Sequence, residues 1–174
     1  MPINRILEHN GELKYYDKNG NLKSFESLLA GLPAHAQSHE AGGDDEISVS
    51  ITRVVVIKVI ADDAELTVGD GKCYFTVPAE LNGYSLVSVG AHVYTASTSG
   101  LPTIQLHNLT DSVDMLSTRI TIDINEKDSS TATTSAVIDT SKDDVATGDE
   151  IRIDVDGAGT GTKGLEVRMG FRKP

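Results

Sequence analysis

Ile151-Arg152-Ile153-Asp154-Val155-Asp156 and, after the turn Gly157-Ala158-Gly159-Thr160-Gly161, Leu165-Glu166-Val167-Arg168-Met169-Gly170-Phe171-Arg172 alternate apolar and polar residues. A period of two sends successive side chains to opposite faces of a strand. Ile151, Ile153 and Val155 therefore share one face, as do Leu165, Val167, Met169 and Phe171, while the arginines and acids share the other. Both segments read as half-buried strands, and replacing Arg152 or Arg168 by Ser is expected to do little.

The same period runs back through the chain. Tyr84 to Thr95 places Val87, Val89, Ala91 and Val93 on one face and Leu86, Ser88, Gly90, His92 and Tyr94 on the other. Ile104 and Leu106 alternate with Gln105 and His107, and Ile120, Ile122 and Ile124 with Thr121, Asp123 and Asn125. Arg53 to Ile60 is β-branched almost throughout, which predicts a strand covered on both faces and ended by Asp62-Asp63. Turn signals such as Gly69-Asp70-Gly71 and Asn82-Gly83 separate these runs, and the Ser/Thr-rich Asn125 to Ala136 reads as a loop or a mobile excursion. With no long helical period anywhere, residues 51–174 are expected to form an antiparallel jelly-roll-like β-sandwich, making the protein mainly β.

Residues 1–34 read as a separate arm. Asn19-Gly20 between Leu13-Lys14-Tyr15-Tyr16 and Leu22-Lys23 predicts a β-hairpin. Ser24 can cap a short helix bearing Phe25, Leu28 and Leu29, which Gly31 and Pro33 would end. Such a helix is too short to persist alone, so Phe25, Leu28, Leu29 and, further on, Ile47 are expected to bury against another copy of the chain or a larger assembly. Residues 35–50 form a polar joint with little to bury: His35-Ala36-Gln37-Ser38-His39-Glu40-Ala41-Gly42-Gly43-Asp44-Asp45-Glu46-Ile47.

That joint, His-Ala-x-x-His-x-x-Gly-Gly-x-Asp-x-Ile, resembles a short linker of tail-fibre and other appendage proteins of tailed bacteriophages, where it joins a virion-anchoring segment to a distal β-rich module. Val77 to Gly83, Met115 to Thr118, and Ala136 through Asp156 are similar to a β-module of phage and prophage structural proteins. The resemblance implies a virion protein, made in the host cytoplasm, and three-fold symmetry. It carries over no catalytic residue.

Composition narrows the alternatives. A net charge of -11 argues against a nucleic-acid partner. No apolar run reaches the roughly 20 residues of a membrane span, so no membrane partner is expected. Aromatics at 5% and no Trp lend no support to a sugar-stacking site. The single Cys73 precludes an intrachain disulfide and reads as a small core residue, and the sequon Asn108-Leu109-Thr110 as a strand end and turn.

The residues that bear chemistry are sparse. His35 and His39, with Asp44 or Asp45, have spacing that would suit a transition metal, but Ala36 stands where a zinc protease needs Glu. The pair reads first as part of a polar linker, so no cofactor is expected beyond that one candidate metal site. Asp62-Asp63, Asp143-Asp144 and Asp154 with Asp156 could offer oxygens to calcium, yet outward acids on a strand are usually a solvated face. The leading expectation is a non-enzymatic homotrimeric virion protein, a short fibre or head decoration bound through its arm to other virion proteins. Behind it stand a receptor tip for host surface glycan and, third, a glycan-cleaving enzyme.

Overall fold

The structure, a computed structural model, describes residues 6–9, 12–16, 19–24 and 51–174. The chain divides into two compact units, Met1–Val49 and Ser50–Pro174. The helix expected after Ser24 and the joint at 35–50 lie outside the described residues.

In the first unit, β1 (Ile6–His9), β2 (Glu12–Tyr16) and β3 (Leu22–Ser24) form an antiparallel meander in that order. The expected hairpin is its second half, with Tyr16 opposite Leu22 and Gly20 at φ 81°, a value open to Gly without steric cost. The first strand was not foreseen, since Ile6-Leu7-Glu8-His9 is too short to show a period.

The second unit begins with β4 (Thr52–Glu65), β5 (Gly69–Thr76), β6 (Tyr84–His92) and β7 (Thr103–Asn108). Short β8 (Val113–Asp114), β9 (Leu116–Thr118), β10 (Ile120–Thr121), β11 (Val137–Ile138) and β12 (Asp144–Val145) follow. The long β13 (Glu150–Gly157) and β14 (Lys163–Arg172) close the chain. One sheet has the order β10-β7-β13-β5, with β8 also on β7; the other has β12-β6-β14-β4, and β11 pairs with β9. All pairings are antiparallel. From β4 to β7 and again from β12 to β14, successive strands fall in alternate sheets, so the mainly β, antiparallel fold is consistent with a β-sandwich.

The core lies between the two sheets, as the alternation of the last two strands requires. Ile151 and Ile153 of β13 and Ile104 and Leu106 of β7 are wholly buried, as are Leu165, Val167, Met169 and Phe171 of β14. Phe75 of the first sheet stacks on Phe171 of the second with ring centroids 6.3 Å apart. Burying each such side chain is worth roughly 1.5–3 kcal/mol, so these residues define the fold.

Several expectations need correction. Among the described residues β4 is an edge strand, paired only with β14, and its outward Val54 and Val56 are 62% and 54% exposed. Its β-branched run reflects strand propensity rather than cover on both faces. Nor do Asp62-Asp63 end it: Gly164, at φ 65°, sits where a Cβ would press on the backbone of Asp62, and a register shift there lets β4 run on to Glu65. Leu86, assigned to the polar face, is buried, because a bulge at Val87 sets Leu86 opposite Phe171 and Ser88 opposite Gly170. β10 covers only Ile120–Thr121, and Ile124 is 43% exposed.

Candidate functional site

The outer face of the β12-β6-β14-β4 sheet is read directly from register. Across three strands, Val54 lies beside Gly170 and Ser88, Val56 beside Arg168 and Gly90, and Lys58 beside Glu166 and His92. Central sheet positions ordinarily favour β-branched or aromatic residues, and Gly there sacrifices roughly 0.5–1 kcal/mol. Neither Gly90 nor Gly170 has the positive φ that would call for glycine. They are there for space. A Cβ on Gly170 would sit 2.2 Å from the Ser88 hydroxyl, and one on Gly90 3.3 Å from Arg168 Nη2. Glycine in a strand interior commonly marks the close approach of a ligand or another backbone.

Over this floor lies the Ser/Thr-rich segment expected to be a loose loop. It is pinned at several points. The Ala91 N–H donates to Ser129 Oγ at 2.9 Å and the Val93 N–H to the Lys127 carbonyl at 2.8 Å, so the segment takes over the edge of β6 beyond β12. Asp128 caps the 3-10 turn Ser129–Thr131 by accepting from the Ser130 N–H at 2.9 Å. Arg168 Nη2 then donates to Asp128 Oδ2 at 2.6 Å, and His92 Nδ1 lies 3.4 Å from the same oxygen. Burial pushes the Asp128 carboxyl up, but the hydrogen bonds from Ser130 and the Arg168 guanidinium outweigh it and hold the group below its ordinary value. Nearby, Thr133 donates to Asp123, whose carboxyl is likewise lowered.

Between segment and sheet a trough opens. One part, a cavity of about 450 Å³, is lined by Val54, Ser88, Gly90, Ser135, Arg168 and Gly170 among others. A second part, about 630 Å³, shares Ser88, Val89 and Ala136 with it and continues past Val137 and Thr140 to Asp143 and Arg172. Both volumes are in the range of small-molecule sites. Serine and threonine hydroxyls both donate and accept, and a guanidinium only donates, so the trough can hold a ligand rich in hydroxyls and acceptor oxygens.

The opposite sheet carries a second polar surface. Tyr74, Arg152 and His107 stand side by side across β5, β13 and β7, and His107 Nδ1 lies 2.7 Å from Asp114 Oδ1. Asp154, expected to be solvated, is 4% exposed. It accepts from the Gly71 N–H at 2.7 Å and from Arg152 Nη2 at 2.8 Å, and this contact raises the Arg152 pKa. Arg152 is therefore no inert surface residue.

The sequence-derived candidates fare unevenly. Phe25, Leu28, Leu29 and Ile47, and the His35, His39 and Asp44 set, lie outside the described residues. Among the described residues no cluster of three or more His, Cys, Asp or Glu is placed to hold a metal, and Asp62 meets Lys58 while Asp156 meets Arg119. Cys73 is half-buried against the core. The sequon does end a strand: Asn108 is 1% exposed, accepts from the Thr110 N–H and donates to Asp111 and Asp149. Sequence reasoning missed the trough, although Gly90 and Gly170 breaking otherwise good strands were its visible signal. Among the described residues no helix is long and apolar enough to cross a membrane.

Comparison with protein families, curated proteins and solved structures finds no match to this chain. Fold alone does not name an activity, so function has to be read from the site.

Proposed function

We propose that this chain is a non-enzymatic structural protein of a tailed-phage particle, a homotrimeric short fibre or decoration protein displayed on the virion surface. Its arm anchors to other virion proteins and its sandwich faces outward. The observation that carries this reading is the division into a small unit, Met1–Val49, whose sequence includes the joint-like stretch, and a separate sandwich, Ser50–Pro174. Tyr16 and Leu22, paired across the small meander, are 40% and 42% exposed, which supports burial of the arm by association. The phage-like linker at 35–47 supports the same role. We assign Phe25, Leu28, Leu29 and Ile47 to the anchor, and His35, His39 and Asp44 to a polar or metal-holding cluster at the joint. In purified particles of the parent phage, electron microscopy with an antibody to the sandwich should label the surface at three-fold sites. Particles devoid of the protein would refute the role.

A second reading has its own observation. The trough favours a receptor tip for host glycan over a glycan-cleaving enzyme: Asp128 beside it is engaged by Arg168 and the Ser130 N–H, and Asp143 is the one carboxylate among the described residues that line it.

A further inference from the structure

We propose that the trough on the outer face of the β12-β6-β14-β4 sheet binds a carboxylated saccharide. This deepens the display role above by naming what the displayed face meets. Two glycines on adjacent central strands, whose conformation does not require them, let the Ser88 hydroxyl and the Arg168 guanidinium lie down as the floor of the trough. Around that floor, serine hydroxyls and one cation alternate with the apolar side chains of Val54, Val89 and Ala136. Ser88 and Ser135 make no hydrogen bond through their hydroxyls among the described residues, so each can both give and take one from a sugar hydroxyl. Arg168 commits Nη2 to Asp128, and its Nε and Nη1 have no partner among the described residues. A guanidinium fixed this way is oriented before the ligand arrives, and its remaining N–H groups match a carboxylate. Arg172, four residues along the same strand, lines the far part of the trough together with the carboxylate of Asp143 and offers a second cation about 13 Å from Arg168 at the usual strand rise. Two cations at that separation suit a chain bearing repeated carboxylates better than one small anion. Neutral sugars that rely on an aromatic platform are disfavoured, because the lining contains no aromatic side chain.

The test uses the full chain on an array of carboxylated, sulfated and neutral saccharides, beside Ser135→Trp and Arg168→Gln. Ser135 is exposed, so an indole there fills the trough without entering the core. Binding is expected on carboxylated members, at least tenfold weaker in both variants, and weakened by salt. No binding to any carboxylated member, or equal binding by Ser135→Trp, overturns the proposal. Sulfated members bound as well by the variants as by the parent chain would mark general polyanion attraction and also overturn it. Circular dichroism and light scattering of the same samples report fold and assembly. The saccharide site can thus fail while the structural role stands.

Discussion

Arg168 on β14 and Asp128 in the Ser/Thr-rich segment meet at 2.6 Å, tying a long connection to the middle of a sheet. Asp128 is also the cap of the Ser129–Thr131 turn, so one carboxylate orients both the segment and the guanidinium beneath it. Asp128→Ala should loosen the segment by about 1 kcal/mol, the usual worth of a cap. Arg168→Gln should do less, because a pair this exposed contributes about 0–1 kcal/mol. Hydrogen exchange at Ala91 and Val93, whose N–H groups the segment covers, should rise more in the first variant than in the second. Unchanged exchange in both would mean that the segment is held by other contacts.

A second expectation concerns Arg152. Its guanidinium faces Asp154, whose side chain is only 5% exposed, so Arg152→Ser leaves a buried carboxylate short of its strongest donor. A loss of about 1–3 kcal/mol in urea unfolding is expected, against little for Arg168→Ser. Ile153→Asp and Phe171→Asp should prevent folding altogether, because a charge placed between the sheets has no partner. Equal effects of Arg152→Ser and Arg168→Ser would contradict this ranking.

What the sequence disclosed and what it hid have one cause. Strict alternation marked β13 and β14, because every inward residue there is large and apolar, and from Ile151 to Val155 and from Leu165 to Phe171 the bulges fall on the partner strands. It failed at Leu86, where a one-residue bulge reverses the faces, and at β4, where β-branched residues serve an edge. Burial of Asp154 depends on Arg152 and on the Gly71 N–H from another strand, neither of which a local pattern reports. The trough escaped notice because it forms only when Gly90, Gly170 and the distant Ser135 are brought together. Asn19-Gly20, by contrast, made a hairpin through purely local geometry.

The response to acid follows from the carboxylates. Hydrogen bonds from Ser141 and then Lys142 bring Asp139 down from 3.8 to about 2, and Asp123 and Asp128 are also lowered. A carboxyl whose folded pKa lies below its unfolded value stabilises the fold above the unfolded pKa and ceases to do so as pH falls through the folded one. Stability of the isolated sandwich should therefore hold down to about pH 4 and fall between about pH 4 and 2. Urea midpoints across that range measure it. A fall already complete at pH 5 would point to other groups.

The two units should also separate. Cleavage near Gly42-Gly43 is expected to leave residues from about 50 onward folded, since every strand of the sandwich lies beyond that point. Circular dichroism of the trimmed protein should retain its β signal. Loss of that signal would show that the sandwich depends on the arm.

Assembly is the claim on which the proposed role rests most directly. Light scattering of the full chain at neutral pH should give three times the 18.5 kDa of one chain. If the proposed trimer brings His35 and His39 of its three copies together, the particle should loosen between about pH 7 and 5 as their imidazoles take up charge, and the His35→Gln, His39→Gln double variant should remain a trimer. A trimer whose response to pH survives the double substitution would remove the histidines from the account. A monomer at neutral pH would contradict the account itself.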